Sequence, residues 1–383
     1  MKNILYRTAA LAACLALCLS LLAGCVGTSG SASDTVSDDA QRFTAYYFDV
    51  FDTMTQVIAY CDSQAEFDQQ MEALHNDLVT YHQLYDIYND YEGINNIKTI
   101  NDNAGIAPVK VDQKIIDMLD LALEMYDVTG GKLNVAMGSV LSIWHDHREA
   151  AEVDPSDDDN TLPTQEELEA AAQHCDISNV IIDHEAGTVY LADPDMRLDV
   201  GSVGKGYAVE QVCQAAKARG LVSASVSVGG NLRSIGTKPQ GQPWSSGVVS
   251  PWSDSMLYDQ SSSLLDVVQT NDQALVTSGD YQRYYTVDGV RYPHIIDPDT
   301  LWPADYFSSV TILCPDSGKA DCLSTGIFCM PLEQGMELIE SLDGVEALWC
   351  TKDGQIYKSS GFAQYETQPA PTAESAQTAQ SAQ

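Results

Sequence analysis

The run Leu198-Asp199-Val200-Gly201-Ser202-Val203-Gly204-Lys205-Gly206-Tyr207-Ala208-Val209-Glu210 joins a strand to a helix. Val189-Tyr190-Leu191 reads as the strand, and Tyr207 to Ala218 as the helix. Between them three glycines fall within six residues, together with a carboxylate, a hydroxyl and an ammonium on Asp199, Ser202 and Lys205. Glycines there let backbone N–H groups approach an anion, and a helix N-terminus favours negative charge. The spacing Gly-x-x-Gly-x-Gly matches neither the dinucleotide fingerprint nor the P-loop. A glycine-rich connection with a helix cap remains an equal reading of this segment alone.

Upstream, Phe43 to Tyr60 alternates like a strand or hairpin. Ser63 to Tyr85 has helical period, with Phe67, Met71, Leu74, Leu78 and Tyr81 on one face. Tyr85 to Asp90 and Asn95 to Gly105 read as polar loops, and Gln113 to Thr129 as a helix stopped by Gly130-Gly131. Residues 145–163, with Asp154 and Asp157-Asp158-Asp159, read as a solvated acidic loop. Thr164 to Glu167 has the pattern of a capping box. Val180 to Leu191 reads as a hairpin turning at Glu185-Ala186-Gly187. Downstream, strands are expected at 223–228, 246–249, 264–270, 273–277, 308–313 and 347–350, and helices at 319–330 and 332–342. Asp288-Gly289 marks a hairpin.

Residues 1–24 have the form of a secretory signal, with Lys2 and Arg7 before an apolar run from Thr8 to Leu22. The run ends in Leu22-Ala23-Gly24-Cys25, which resembles the lipobox of bacterial lipoproteins and implies lipidation of Cys25. The expected organisation is then a flexible, lipid-anchored tether over 25–42, one folded domain over 43–363, and a low-complexity, disordered tail over 364–383. The expected address is exported, anchored to the outer face of the bacterial cytoplasmic membrane, or on the periplasmic side where an outer membrane exists. A net charge of −36 argues against nucleic acid as a partner. Beyond Cys25, seven cysteines remain at spacings that suit neither a zinc ribbon nor a disulfide framework, so mostly free thiols are expected.

Four polar clusters lie among apolar strands: Asp199/Ser202/Lys205, Thr277-Ser278-Gly279-Asp280-Tyr281, His294-Ile295-Ile296-Asp297-Pro298 and Ala320-Asp321-Cys322-Leu323-Ser324-Thr325. On a helix, Asp321 and Thr325 at i and i+4 share a face and form half of an oxygen-ligand Mg²⁺ site. If this pair stood alone, an ordinary first-turn acid near the helix N-terminus would be the stronger reading. His294, before an apolar pair, is equally a core histidine.

Taken in order with Phe51-Asp52-Thr53, Asn134-Val135-Ala136-Met137-Gly138 and Ser227-Val228-Gly229-Gly230-Asn231, these clusters resemble the FAD:protein FMN transferase family, the ApbE-type flavin transferases. The likeness spans about residues 43–352. It implies an α+β, two-lobed fold with mixed or antiparallel sheets, packed helices and a flavin cleft between the lobes. It implies Mg²⁺ as cofactor, FAD as substrate, transfer of FMN to a threonine hydroxyl of an acceptor protein, and release of AMP. By position Ser202, Asp321 and Thr325 match metal ligands, and Asp199, Lys205, Ala136, Met137, Gly138 and Ile295 match flavin or adenine contacts. Tyr85 falls near an aromatic position over the flavin. Asp321 is expected to be catalytic, and His294 is the candidate base as well as a cofactor contact, its ordinary pKa lying near neutrality.

The resemblance further implies an acceptor with an Asp-x-x-(Ser/Thr)-Gly-Ala-(Ser/Thr) type motif, of the Rnf or sodium-pumping NADH:quinone reductase kind. The chain carries no such motif, so it is expected to modify another protein. Leu301-Trp302-Pro303 departs from the usual Gly-aromatic-Pro, so the turn after Pro298 is expected to differ. Two rival functions stay open: a Mg²⁺-dependent FAD pyrophosphatase, and a flavin-binding lipoprotein without chemistry. The Ser202/Asp321/Thr325 set argues against the pure binder, since binding needs no metal.

Overall fold

The computed structural model describes residues 35–153, 161–252 and 264–368. Its largest sheet is antiparallel and eight-stranded, in the order β1-β2-β6-β7-β10-β13-β14-β15. These strands are β1 (Gln41–Val50), β2 (Thr53–Cys61), β6 (Ala224–Val228), β7 (Asn231–Ile235), β10 (Ala274–Gly279), β13 (Phe307–Cys314), β14 (Glu346–Thr351) and β15 (Ile356–Lys358). Every residue of β13 is buried, because both faces of the sheet are covered there. Val310 and Ile312 face the helices, while Leu313 faces a small sheet on the other side. That alternation is the two-residue period of a strand buried twice over.

Among the described residues the α-helices are α1 (Gln64–Tyr85), α2 (Ile97–Asp102), α3 (Gln113–Val128), α4 (Gly138–Val153), α5 (Gln165–Ala172), α6 (Gly204–Ala218), α7 (Ser317–Phe328) and α8 (Leu332–Glu340). The apolar stripe of α1 expected from sequence is the one buried, and Ser63 caps it by accepting from the Glu66 N–H. α6 packs between α1 and α7, and all three lie on the large sheet over the main apolar core. On the opposite face β8 (Trp244–Val249), β9 (Leu264–Thr270) and β16 (Glu366–Gln368) form a three-stranded sheet around Val248, Val268 and Phe362. β3 (Val109–Lys110), β4 (Val180–Asp183) and β5 (Thr188–Leu191) form a third sheet. The hairpin β11 (Tyr284–Val287) and β12 (Val290–Pro293) stands apart and shares a separate core with α4 and α5, built on Trp144, Leu168, Tyr285 and Leu301. The α+β class with antiparallel sheets therefore holds, and the second core is the smaller lobe.

Four boundaries differ from expectation. Asn95 to Gly105 is not all loop: Asn96 and Thr99 form a reciprocal capping box, and Ile97 and Ile100 are buried one turn apart, which makes α2. The acidic loop expected over 145–163 is helical as far as Val153, because Val140, Trp144 and Ala151 recur on one face and pack into the second core. Asp154 and Asp157 to Asp159 lie outside the described residues. At the amino end the domain starts before 43, since β1 begins at Gln41. The tail does not begin at 364: β16 pairs with β9, and Lys358 joins Asp266 on β9 to Glu366 on β16. Cys25, the signal segment and residues 369–383 lie outside the described residues. No described helix is long and apolar enough to cross a membrane.

Candidate active site

The glycine-rich run of residues 198–210 is held from two sides. The Asp199 N–H donates to the Val135 carbonyl at 2.8 Å, and the Gly138 N–H donates to the Arg197 carbonyl at 3.1 Å. A Cβ at Gly138 would stand 2.6 Å from that same carbonyl oxygen, so only glycine allows the approach. On its other side α6 starts at Gly204, earlier than the apolar pattern indicated, and its first turn touches α7. The Gly206 N–H donates to Asp321 Oδ2 at 2.8 Å, and a Cβ at Gly206 would lie 2.4 Å from the Asp321 Cβ. This contact puts the turn bearing Ser202 and Lys205 beside the helix bearing Asp321 and Thr325.

Those elements wall an open cleft of about 370 Å³ between the large sheet and the smaller lobe. Tyr85, Met137, Asp199, Ser202, Lys205, His294, Ile295, Asp321 and Thr325 all line it. Ala136 and Gly138 do not. Ala136 is fully buried, with its N–H donating to Asn134 Oδ1, and Gly138 is pressed onto Arg197, so both back the wall and are not among the residues that line the cleft. Tyr85 is a lining residue only by its edge, because its ring packs against Gly204 and its hydroxyl donates to the Lys114 carbonyl at 3.0 Å. The open aromatic ring is Tyr88, 56% exposed and 5.3 Å from the His145 ring.

The charge pattern of the cleft is unusual for so acidic a chain. Lys205 and Arg283 line it with no carboxylate within 4.0 Å among the described residues. Burial pushes the Asp199 carboxyl up, opposed by its bond from the Gly201 N–H and by His145, Arg148 and Arg283. His294 is exposed by area, yet that area faces the interior of the cleft. Protein crowding on the other sides strips water from the ring, and Arg283, Lys205 and Arg148 repel a second proton, so its pKa is pushed down to about 4. Its Nδ1 lies 3.1 Å from the Arg283 carbonyl, which can only accept. Nδ1 therefore carries the hydrogen, and Nε2 is a free base.

Asp321 has one oxygen tied to Gly206, and the hydroxyls of Ser202 and Thr325 have no hydrogen-bond partner within the described residues. A carboxylate and two unpartnered hydroxyls on one wall are hard oxygen donors, a set that fits Mg²⁺. Ser324 points elsewhere: its hydroxyl is buried, meets Ser278 Oγ at 2.8 Å and donates to the Asp321 carbonyl at 2.9 Å. It fastens α7 to the sheet.

With this arrangement in view, the ApbE family model matches residues 51–349. The chain belongs to the ApbE family. It is 34% identical over 282 residues to the FAD:protein FMN transferase of Treponema pallidum, covering 70% of this chain and 73% of that protein. It is 30% identical to the protein of the same name from Vibrio cholerae, over 78% and 83% of the two chains. Among solved structures, the ApbE protein of Thermotoga maritima matches with a TM-score of 0.73 and 28% identity, covering 86% of this chain and all of that one. As an ApbE protein the chain also carries cleft residues to which sequence reasoning gave no role: Tyr88, His82, Arg148 and Arg283, and Asn231, which was quoted only as part of a motif. Asn231 had a visible signal in Gly229-Gly230, a two-residue turn that closes β6 onto β7. Arg283 had none, since a cation beside a hairpin strand reads as surface.

Proposed function

We propose that this protein transfers FMN from FAD to a threonine hydroxyl of an acceptor protein and releases AMP. One observation carries the reading: the unpaired cations Lys205 and Arg283, the oxygen donors Ser202, Asp321 and Thr325, and the neutral base His294 converge on one cleft. A nucleotide with an anionic diphosphate and a flat ring meets all of these. Lys205 and Arg283 hold the phosphate charge, and Tyr88 offers a ring face. The acceptor hydroxyl oxygen attacks the phosphorus on the FMN side. Its proton passes to His294 Nε2 as the P–O bond to the AMP phosphate breaks, and AMP leaves with the bond's electron pair. Ser202, Asp321 and Thr325 would hold Mg²⁺, which when bound neutralises diphosphate charge and so stabilises the charge that builds on the leaving phosphate.

The test is incubation with FAD, Mg²⁺ and a protein bearing the Asp-x-x-(Ser/Thr)-Gly-Ala-(Ser/Thr) motif, followed by intact mass and nucleotide analysis. The acceptor should gain one FMN as AMP appears in equal amount. AMP with free FMN and no gain in protein mass would establish the pyrophosphatase instead, and no turnover with tight FAD binding would establish the binder. Asp321→Ala should abolish both transfer and calorimetric Mn²⁺ binding while FAD still binds. Wild-type Mn²⁺ affinity in that variant would remove the metal assignment.

Export and lipid anchoring through Cys25 belong to the same proposal, as do acceptors of the Rnf or sodium-pumping NADH:quinone reductase kind. Cys25→Ser should lose its detergent-dependent membrane partition, and retention on membranes would refute the anchor.

A further inference from the structure

Asn231 is 3% exposed and lines the cleft, and its side-chain nitrogen has no acceptor among the described residues. Burying an amide N–H₂ unpaired is unfavourable, so a fold keeps such a group only for packing or for a ligand. Its place on the strand tells which part of the cleft it serves. Asn231 opens β7 after Gly229-Gly230, whose φ values of +53° and +93° suit the tight turn. It lies opposite Val228 on β6 and Val276 on β10, and both of those side chains belong to the core under the helices. Paired residues share a face, so the Asn231 amide is on the α6/α7 side of the sheet. Two residues along β10, on that same face, Ser278 meets Ser324 on α7, between Asp321 and Thr325. The unpaired amide thus lies on the same side of the sheet as the helix carrying Asp321 and Thr325.

We propose that Asn231 binds the substrate directly, its amide N–H donating to a diphosphate oxygen; this rests on the FAD reading above. It would be a binding residue for the oxygen-rich centre of the dinucleotide, with no part in holding the flavin ring. Val228 and Val276, its flanking neighbours, offer no hydrogen-bonding side chain in its stead.

The experiment measures FAD, ADP and riboflavin affinities and the ligand-free melting temperature for wild type, Asn231→Leu and Asn231→Asp. A hydrogen bond to a charged oxygen corresponds to about a tenfold or greater change in affinity. Asn231→Leu should therefore bind FAD and ADP at least about tenfold more weakly, leave riboflavin unchanged, and melt no lower than wild type. The last result separates a ligand contact from a structural one, since a structural asparagine would lower the melting temperature on removal. Asn231→Asp keeps the shape and adds a charge, so it should weaken FAD and ADP further than leucine does and spare riboflavin. Unchanged FAD affinity in Asn231→Asp, or equal losses for FAD and riboflavin in either variant, would overturn the proposal. Wild type that binds riboflavin as well as FAD would instead overturn the substrate reading itself, and this inference with it.

Discussion

At the scale of single residues, His294 shows how a site sets a protonation state. Its ring was ambiguous in sequence between core histidine and base; in the structure it lines the cleft, and one carbonyl acceptor and the crowding around it hold it neutral. An unfolded histidine titrates near ~6.5, whereas the folded ring is pushed down to about 4. The stability tied to the neutral ring is complete above the unfolded value and is lost as pH falls through the folded one. In NMR of the ligand-free protein, the His294 ring should titrate well below the ordinary histidine value; a midpoint at or above that value would contradict the crowding. Leu301 shows a different compromise. It stands where the family turn usually has glycine, and it adopts φ +64° while its side chain is buried against Trp144 and the rest of the second core. The backbone strain is about 1–2 kcal/mol, and deleting a buried leucine side chain costs about 2–5 kcal/mol. Burial wins, so Leu301→Gly should lower stability by about 1–3 kcal/mol in a denaturant titration, despite restoring the usual turn residue. A more stable variant would show the strain to be larger than the packing.

At the scale of elements, α6 and α7 form the device that holds the site. Glu210 of α6 accepts the Ser317 N–H at the start of α7 and pairs with Arg233 of β7 at 2.8 Å, with both charged side chains almost wholly buried. One turn nearer the cleft, Gly206 fits so closely that an added Cβ would stand 2.3 Å from the Ser317 carbonyl oxygen. Gly206→Ala should gain about 1 kcal/mol in helix propensity and lose about 1–3 kcal/mol or more to overpacking against backbone. The net expectation is a lower melting temperature and a loss of Mn²⁺ binding larger than the loss of FAD binding. Equal, wild-type values for both would mean the two helices can separate without disturbing Asp321. The glycines were legible as a special turn, and their number suggested an anion. That Gly204 and Gly206 lie inside a helix was not legible, because glycine is a poor helix former and its reason here is a neighbour more than a hundred residues away.

For the whole molecule, periodicity found most strands and helices of the large lobe, since each buries one side against a single core. The misread parts, α2 and the later turns of α4, are polar on much of their surface and are fixed by a cap or by a second core that only the fold assembles. The metal-ligand candidates were visible as a motif, whereas Arg283 and Tyr88 became site residues only once the hairpin lobe met the sheet. One further property belongs to the entire folded chain. The seven cysteines from Cys61 onward are all unbridged, and six are buried. Burial drives every one of these thiols up, to about 11 for Cys61 and Cys175 and to about 12 for Cys314 and Cys350. Thiolate is the reactive form, so the folded protein should be nearly silent to alkylating reagents at neutral pH. Iodoacetamide then reports on opening: in a chain beginning at Thr35, the buried cysteines should be labelled together, in one slow phase that follows the small population of globally unfolded chains. Rapid labelling of Cys213 or Cys322 under native conditions would reveal an opening of the α6–α7 layer well short of denaturation.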